Sequence, residues 1–189
     1  MSPFEYITVL VSIILGLGVA QIVTGLAHFL HSGNKVKLYW PHFLWIIMIF
    51  FLHIQEWWVF YEYKTFPQWK LLTFIFVILY PIGLFIQARI LFPFDNFEEE
   101  TDLKAFYYEN YRVYFGSVAI MAILSIIDNV LLRGLDITEQ FIQMGLIIVM
   151  MSIAVFKIRN EWVHKIMAIL LLGIMVAGMA ANWDQWMIK

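Results

Sequence analysis

Ionisable and amide side chains interrupt the apolar stretches of this 189-residue sequence at several points. At the centre of a membrane such side chains cost on the order of 2.5 to 3.5 kcal/mol each, so those present usually face protein or water. The polar residues form two sets. If the stretches are helices of one compact bundle, the residues of the denser set lie at similar depth near one end of the bundle. Its members are His53, Gln55, Glu56, Asp128, Asn129, Gln143, Asn182 and Asp184.

The set combines carboxylates and amides with one imidazole. Carboxylate and amide oxygens suit hard cations, and an imidazole beside a carboxylate suits a proton relay or a transition metal. His53 and Glu56 are three residues apart, so we expect them on one helix face. The ion or proton site predicted from these residues consists of His53, Glu56, Asp128, Asn129, Gln143 and Asn182.

Each candidate also has an ordinary structural explanation. Glu56 comes directly before two tryptophans that mark a membrane interface, so this carboxylate meets water equally well. Asp184, near the end of the chain, is better explained as solvated. Three apolar residues separate Asp128 and Asn129 from Arg133, and the alternative for Asp128 is a structural hydrogen bond to Asn129 or to a neighbouring helix.

A looser polar set lies toward the other end of the helices: Gln21, Thr24, Gln87 and Arg89. Gln87 and Arg89 are two residues apart and cannot share a helix face, so we expect one to point inward and the other to reach the interface. Gln21 and Gln87 are interpreted as interhelical hydrogen bonds rather than as substrate contacts.

The histidines do not favour a haem site, which needs two imidazoles facing each other across a bundle. Only His53 is predicted to lie well inside the membrane, and no second histidine matches it in depth. His42 and His164 are expected near the opposite interface, in contact with water. We therefore expect no cofactor, and the sequence leaves a metal open.

Composition indicates the elements that position these residues. Hydrophobic residues make up 62% of the chain and charged residues 14%, and the mean hydropathy is +0.80. The apolar residues come in blocks of about 20, the number that crosses a hydrocarbon core as a helix. The prediction is an all-α membrane bundle, one domain over 1–189, with six spans at about 5–29, 41–61, 68–92, 113–132, 137–156 and 166–186.

Local signals support several of these boundaries. Pro41 suits the first turn of a helix, and Asp136 with Glu139 resembles a capping box before span 5. Pro81 falls in the middle of span 3, where it removes a hydrogen bond and predicts a kink. The acidic residues ahead of span 4 favour a helix that begins before the membrane does.

Basic residues predict the orientation, because lysine and arginine are retained in the cytoplasm. One side of the predicted membrane protein carries eight basic residues: Lys35, Lys37, Arg89, Lys104, Arg112, Lys157, Arg159 and Lys165. The other side carries four: Lys64, Lys70, Arg133 and Lys189. This bias predicts that both termini lie outside, and the placement of the tryptophans near the two interfaces agrees.

Small side chains recur every four residues on two spans. They are Ser12, Gly16, Ala20 and Thr24 in span 1, and Gly173, Ala177 and Ala181 in span 6. Such stripes let helix backbones approach each other closely in lipid. Packing inside one subunit is the first interpretation, and a homo-oligomer interface is the second.

The connection 93–112 combines acidic residues with an aromatic group of Phe106, Tyr107, Tyr108 and Tyr111. A solvated segment that caps span 4 is the ordinary explanation, and a docking surface for a cytoplasmic protein is the alternative. The net charge of -2 does not favour nucleic acid as a partner. Absence of cysteine excludes disulfides and thiolate chemistry, and we expect the first span to be retained rather than cleaved as a signal peptide.

Several short motifs in the first 60 residues resemble those of a set of small bacterial inner-membrane proteins. They are Ser2-Pro3-Phe4-Glu5-Tyr6, Leu15-Gly16-Leu17-Gly18, Tyr39-Trp40-Pro41-His42 and Trp57-Trp58. The resemblance implies a multi-pass protein of the bacterial inner membrane, surrounded by lipid, and it implies no particular activity.

Three functions compete at this point. The first is a small channel or transporter for protons or cations that uses Glu56, Asp128 and His53. The second is a membrane subunit, sensor or anchor that binds a partner protein. A membrane enzyme comes last, because the sequence lacks a nucleophile and base constellation and a metal motif such as H-E-x-x-H.

Overall fold

The computed structural model describes residues 2–32, 36–66, 68–93 and 101–181. These residues form six α-helices and one pair of very short strands. The helices are α1 (Pro3–Ser32), α2 (Trp40–Val59), α3 (Leu71–Ile90), α4 (Leu103–Leu131), α5 (Phe141–Val155) and α6 (Glu161–Ala181). The strands are β1 (Val36–Lys37) and β2 (Thr101–Asp102).

Six helical segments are long and apolar enough to cross a membrane. Two of them include short 3₁₀ helices, Phe60–Thr65 directly after α2 and Ile137–Gln140 directly before α5. The all-α architecture predicted from the hydropathy pattern is therefore confirmed for the described residues. The last residues of the predicted sixth span, 182–186, lie outside them.

Two helices begin well before the apolar stretches that predict them. α4 begins at Leu103 because Asp102 caps it, accepting hydrogen bonds from the backbone N–H groups of Lys104 at 2.8 Å and Ala105 at 3.1 Å. α6 begins at Glu161, where the side chain of Asn160 accepts from the N–H of Trp162 at 2.9 Å. Hydropathy misses these first turns because they are polar, but the acidic residues ahead of span 4 had predicted the early start of α4, which is confirmed.

The capping signals act as the sequence indicates, with one difference. Pro41 lies in the first turn of α2. Asp136 caps a 3₁₀ helix rather than an α-helix, accepting from the backbone N–H and the hydroxyl of Thr138, both at 2.8 Å. These two hydrogen bonds hold the pKa of Asp136 below its ordinary value, because they stabilise the charged carboxylate.

The β1–β2 pair is a feature that the sequence did not predict. The two strands are parallel, with Val36 paired with Thr101 and Lys37 with Asp102. Two residues are too few to give an alternating pattern. The pair joins the α1–α2 connection to the start of α4.

The second helix is the centre of the bundle. α2 packs against α1, α3, α4 and α6, while α1 packs most extensively on α3 and α4 on α5. Its buried side chains include Trp45, Ile46, Met48 and Ile49. Polar side chains on different faces of α2 therefore enter different parts of the interior.

Close helix contacts occur at glycines outside the two predicted stripes. A Cβ atom at Gly18 would overlap the ring of His53, one at Gly25 would overlap the ring of Phe92, and one at Gly83 would overlap the thioether of Met121. These glycines allow α1 to contact α2 and the end of α3, and α3 to contact α4.

The stripes themselves point away from the bundle. Gly16, Thr24, Ala177 and Ala181 are exposed or nearly so, and Ser12, Ala20 and Gly173 are at most half-buried. Apart from the chain neighbours and the backbone of the same helix, no described atom comes within 4 Å of a Cβ placed at Gly16 or Gly173. The first interpretation, packing inside one subunit, is therefore wrong for these positions. α1 uses the face of Val11, Leu15, Gly18 and Ile22 instead.

Replacing Gly18 with alanine tests this packing. The new methyl group overlaps the His53 ring, which a 2.7 Å hydrogen bond to the Ile49 carbonyl holds in place, so we expect the free energy of unfolding to fall by about 1–3 kcal/mol. Thermal unfolding in detergent, followed by tryptophan fluorescence, measures the change.

Gly16→Ala is the matched control on the same helix. It meets no neighbour, and alanine is the better helix former by about 1 kcal/mol, so its stability should be unchanged or higher. Equal losses in the two variants would contradict the arrangement of α1 and α2.

Candidate functional site

A cavity of about 500 Å³ lies among α2, α3, α4, α5 and α6. The cavity lies toward the end of the bundle that carries the two 3₁₀ helices. This end of the bundle is called the Arg133 end. The exposed Glu139 marks the rim of the cavity. The polar residues that line it are Gln55, Glu56, Tyr63, Tyr80, Ser125, Asp128, Asn129, Arg133, Glu139 and Gln143.

Asp128 is held by a residue from another part of the chain. The hydroxyl of Tyr63, in the 3₁₀ helix after α2, donates to Oδ1 of Asp128 at 2.5 Å. Both residues line the cavity, and Tyr63 is buried while Asp128 is half-buried. This contact corresponds to the structural alternative for Asp128, a hydrogen bond to a neighbouring helix, and it also places the carboxyl group beside open space.

Arg133 joins the next polar side chains into a network. Its guanidinium donates to Oδ1 of Asn129 at 2.9 Å and forms an ion pair with Glu62. Asn129 in turn donates to Oε1 of the buried Gln140 at 3.0 Å. The network ties the end of α4 to the 3₁₀ helix after α2 and to the one before α5, and so fixes the Arg133 end of the cavity.

Glu56 lies one helix turn before the 3₁₀ helix and is half-buried. In the described part of the chain its carboxyl group has no hydrogen-bond partner. Its charge interacts unfavourably with Asp128 and favourably with Arg133. A carboxyl group in this position can take up a proton or interact with a cation that enters the cavity.

The opposite end of the cavity is apolar and deep. Trp45, Met48 and Ile49 line it together with Val118 and Leu171, and all five belong to one apolar cluster. Trp45 and Glu56 lie on the same helix, about 16 Å apart along its axis at 1.5 Å per residue. The cavity thus extends along about half of the roughly 30 Å that a membrane-spanning helix must cross.

The structure brings together four of the six predicted site residues. Glu56, Asp128, Asn129 and Gln143 all line the cavity. Gln143 also donates to the carbonyl oxygen of Ala122 at 3.0 Å, which links α5 to α4. Asn182 lies outside the described residues.

His53 does not line the cavity. The expectation that His53 and Glu56 point to the same site from one face of α2 is therefore wrong. The His53 ring is buried against Gly18 of α1, and its Nδ1–H donates to the Ile49 carbonyl at 2.7 Å. Residues three apart on a helix differ by about 60° in direction. In a helix that is packed on several sides, this angle is enough to send the two side chains into different spaces.

None of the four residues of the looser polar set lines the large cavity. Gln87 is buried and its Nε2 has no hydrogen-bond partner among the described residues, so the expected interhelical hydrogen bond of this amide nitrogen is not formed. Gln21 and Arg89 are half-buried and Thr24 is exposed. These four residues lie on α1 and α3, away from the cavity-lining face of α4.

The expectation of solvated histidines at the other end is wrong. His42 and His164 are 2% and 0% exposed and belong to an aromatic cluster. Nε2 of His42 donates to the Leu91 carbonyl at 2.9 Å, and His164 contacts the rings of Tyr107, Tyr108 and Tyr111. The early start of α4 explains the error, because it places these tyrosines beside the histidines.

Sequence reasoning missed several residues of the site. Tyr63 and Glu139 lie near predicted connections, Tyr80 lies in the middle of span 3, where one aromatic residue gives no signal, and Arg133 served only to count charge. The one available signal was that Arg133 follows Asn129 by four residues, which is the spacing of a side-chain pair on a helix. Nothing in the sequence indicates that Tyr63 contacts Asp128.

The donor set suits protons or loosely held cations. Among the described residues, no three His, Asp or Glu side chains cluster in a way that would hold a metal ion. Comparison with protein-family models, with curated proteins and with solved structures finds no match for this chain. A function for the protein therefore has to be inferred from the chemistry of the cavity.

Tyr63→Phe tests the anchoring of Asp128. The ring packing is kept, but the half-buried carboxyl group loses its hydroxyl donor, which should lower the free energy of unfolding by about 1–3 kcal/mol. Chemical denaturation in detergent measures the change. Tyr61→Phe is the control, because the Tyr61 hydroxyl interacts with the exposed Lys64; a similar loss in both variants would contradict the assignment.

Proposed function

We propose that this chain is a small membrane channel or transporter that moves protons or cations through the Arg133-end cavity. The observation that carries the proposal is the presence of Glu56 and Asp128 together on one cavity that runs deep into an apolar bundle. Isolated carboxylates are costly at such depth. The entry of a positively charged ion would explain why two carboxyl groups line the same cavity.

The balance of charge along the cavity supports a cationic substrate. Among the described lining residues, the carboxyl groups are Glu56, Asp128 and Glu139, and the cationic side chain is Arg133. Arg133 is already paired with Glu62, outside the lining. The remaining negative charge attracts cations to the rim, since an apolar wall weakens the screening by water.

Orientation is a further part of the proposal. The excess of lysine and arginine at the other end favours a protein whose termini and Arg133 end face away from the cytoplasm. The motifs in the first 60 residues favour the bacterial inner membrane. The cavity then opens toward the side from which protons enter a respiring bacterial cell.

The cysteine-free sequence allows this orientation to be tested directly. Thr65→Cys and Leu38→Cys each place one exposed thiol at opposite ends of α2. A membrane-impermeant maleimide added to intact spheroplasts should label the cysteine at 65, whereas the cysteine at 38 should react only after lysis. The reverse pattern would show that the cavity opens to the cytoplasm.

A second candidate function is that of a subunit or anchor that binds another protein, including a second copy of the chain. The outward-facing small-residue stripes on α1 and α6 favour it, because they offer faces on which a further helix can approach closely. The segment 94–100, in the proposed cytoplasmic docking surface, lies outside the described residues. Absence of ion flux from folded protein would favour this candidate.

Ion flux in sealed liposomes tests the main proposal. Purified protein is reconstituted, and H⁺, Na⁺ and K⁺ gradients are applied separately. We expect flux from the unmodified chain and a reduction of about tenfold or more in Asp128→Asn and in Glu56→Gln, because each change removes one of the charges that stabilise a cation at depth.

Glu109→Gln is the matched control for these two variants. It makes the same carboxyl-to-amide change at a position of α4 away from the cavity. Its flux should equal that of the unmodified protein. Full flux in both cavity variants would contradict a role for Glu56 and Asp128.

A further inference from the structure

A second, much smaller cavity lies beyond the deep end of the first. Its volume is about 10 Å³, and its lining includes His42, Trp45, Tyr107, Asn110, Tyr111 and Tyr114. Trp45 lines both cavities, so this residue lies between them. Its indole ring is 3% exposed and makes an edge contact with Tyr114, with the ring centroids 4.9 Å apart.

Three polar atoms around the small cavity are buried without a hydrogen-bond partner in the described structure. They are Nε1 of Trp45 and the hydroxyl oxygens of Tyr111 and Tyr114. Buried polar groups are almost always hydrogen-bonded, to protein or to an ordered water. A space of roughly 10–15 Å³ with two to four polar partners is enough for one water molecule.

On the far side of this space, hydrogen bonds continue toward the other end of the bundle. The Ile158 carbonyl can only accept, so Nε2 of His164, 2.8 Å away, carries the hydrogen. Nδ1 of His164 is then the acceptor, and the Tyr107 hydroxyl donates to it at 2.9 Å. Ile158 belongs to the α5–α6 connection, between exposed Lys157 and Arg159.

From these contacts we propose that the transported ion is a proton, which crosses from the large cavity past Trp45 through a water molecule among Tyr111, Tyr114 and Tyr107 to His164. This inference rests on the proposed transport function and specifies its substrate. A proton is relayed when each group accepts one and gives up another. The small-cavity water gives a proton to the Tyr107 hydroxyl as that hydroxyl gives its own to Nδ1 of His164. Nε2 of His164 then releases its proton to a water molecule at the α5–α6 connection. The His164 tautomer and the hydroxyl hydrogens return to their starting positions before the next proton passes.

The volume of the small cavity favours a proton over a metal cation. A space for about one water cannot admit Na⁺ or K⁺ with the several oxygen ligands that replace their hydration. The groups around it are aromatic rings, hydroxyls and imidazoles that are largely buried. The titratable side chains that face His164 are Tyr107, Tyr108 and Tyr111 of α4, and Arg159 lies over the ring of Tyr108.

The test compares hydroxyl deletions on and beside this path. The double variant Tyr111→Phe/Tyr114→Phe keeps the rings but removes two of the hydroxyls. The control is Tyr108→Phe, whose hydroxyl lies 3.4 Å from that of Tyr39, outside the small cavity. Proteoliposomes with an internal pH dye and a valinomycin-set potential report proton flux, and Na⁺ and K⁺ fluxes are measured in the same preparations.

We expect proton flux from the unmodified protein and from Tyr108→Phe, loss of most of it in the double variant, and no Na⁺ or K⁺ flux. Proton flux that survives the double deletion would overturn the path. Na⁺ or K⁺ flux without proton flux would overturn the choice of ion. Both results leave the proposed transport function standing, whereas no flux of any ion from folded protein overturns the function and the inference together.

Folding of each variant is checked by thermal unfolding. If the double variant does not fold, Trp45→Phe replaces it, because that change removes the indole N–H between the cavities and keeps an aromatic ring. Loss of proton flux in folded Trp45→Phe supports the path, and unchanged flux counts against it.

Discussion

The hydrogen bond from Tyr63 to Asp128 is the contact on which the arrangement of the polar cavity depends. A carboxyl group inside an apolar bundle has few ways to be stabilised, and each requires a donor from another element. The 3₁₀ helix after α2 supplies Tyr63 and Glu62, and the end of α4 supplies Asp128 and Arg133. These contacts tie the segment after α2 to the end of α4 beside the cavity.

Because α2 packs on four other helices, each of its faces has a different role. One face buries His53 against Gly18, where the close approach leaves no room for a larger residue at position 18. Another face presents Glu56 to the large cavity, and Trp45 separates that cavity from the small one. A single helix therefore carries a packing contact, a charge and the boundary between the two internal spaces.

The helical class, six apolar segments, and four cavity residues could be predicted from the sequence, because hydropathy and the cost of charge at depth are properties of single residues and their spacing. The burial of His53 could not be predicted, because it depends on which neighbouring helix covers that side of α2. The buried state of His42 and His164 was missed for a related reason: α4 begins at Leu103, and its polar first turns carry the tyrosines that enclose both rings. Direction around a helix axis and contacts between distant segments are set by packing, and a single sequence does not record them.

The large cavity has a much greater volume than the small one. In the proposed transport, this difference determines how an ion moves through each of them. The large one has a volume of about 500 Å³, which is enough for several water molecules beside Glu56. The small one, about 10 Å³, has room for about one water molecule. In the proposed transport, entry is therefore expected to be easy at the Arg133 end, and the slow step is expected at Trp45 and the tyrosines beyond it. A bundle with this asymmetry does not need a second wide opening, because a relay through hydroxyl and imidazole groups passes charge while the heavy atoms stay packed.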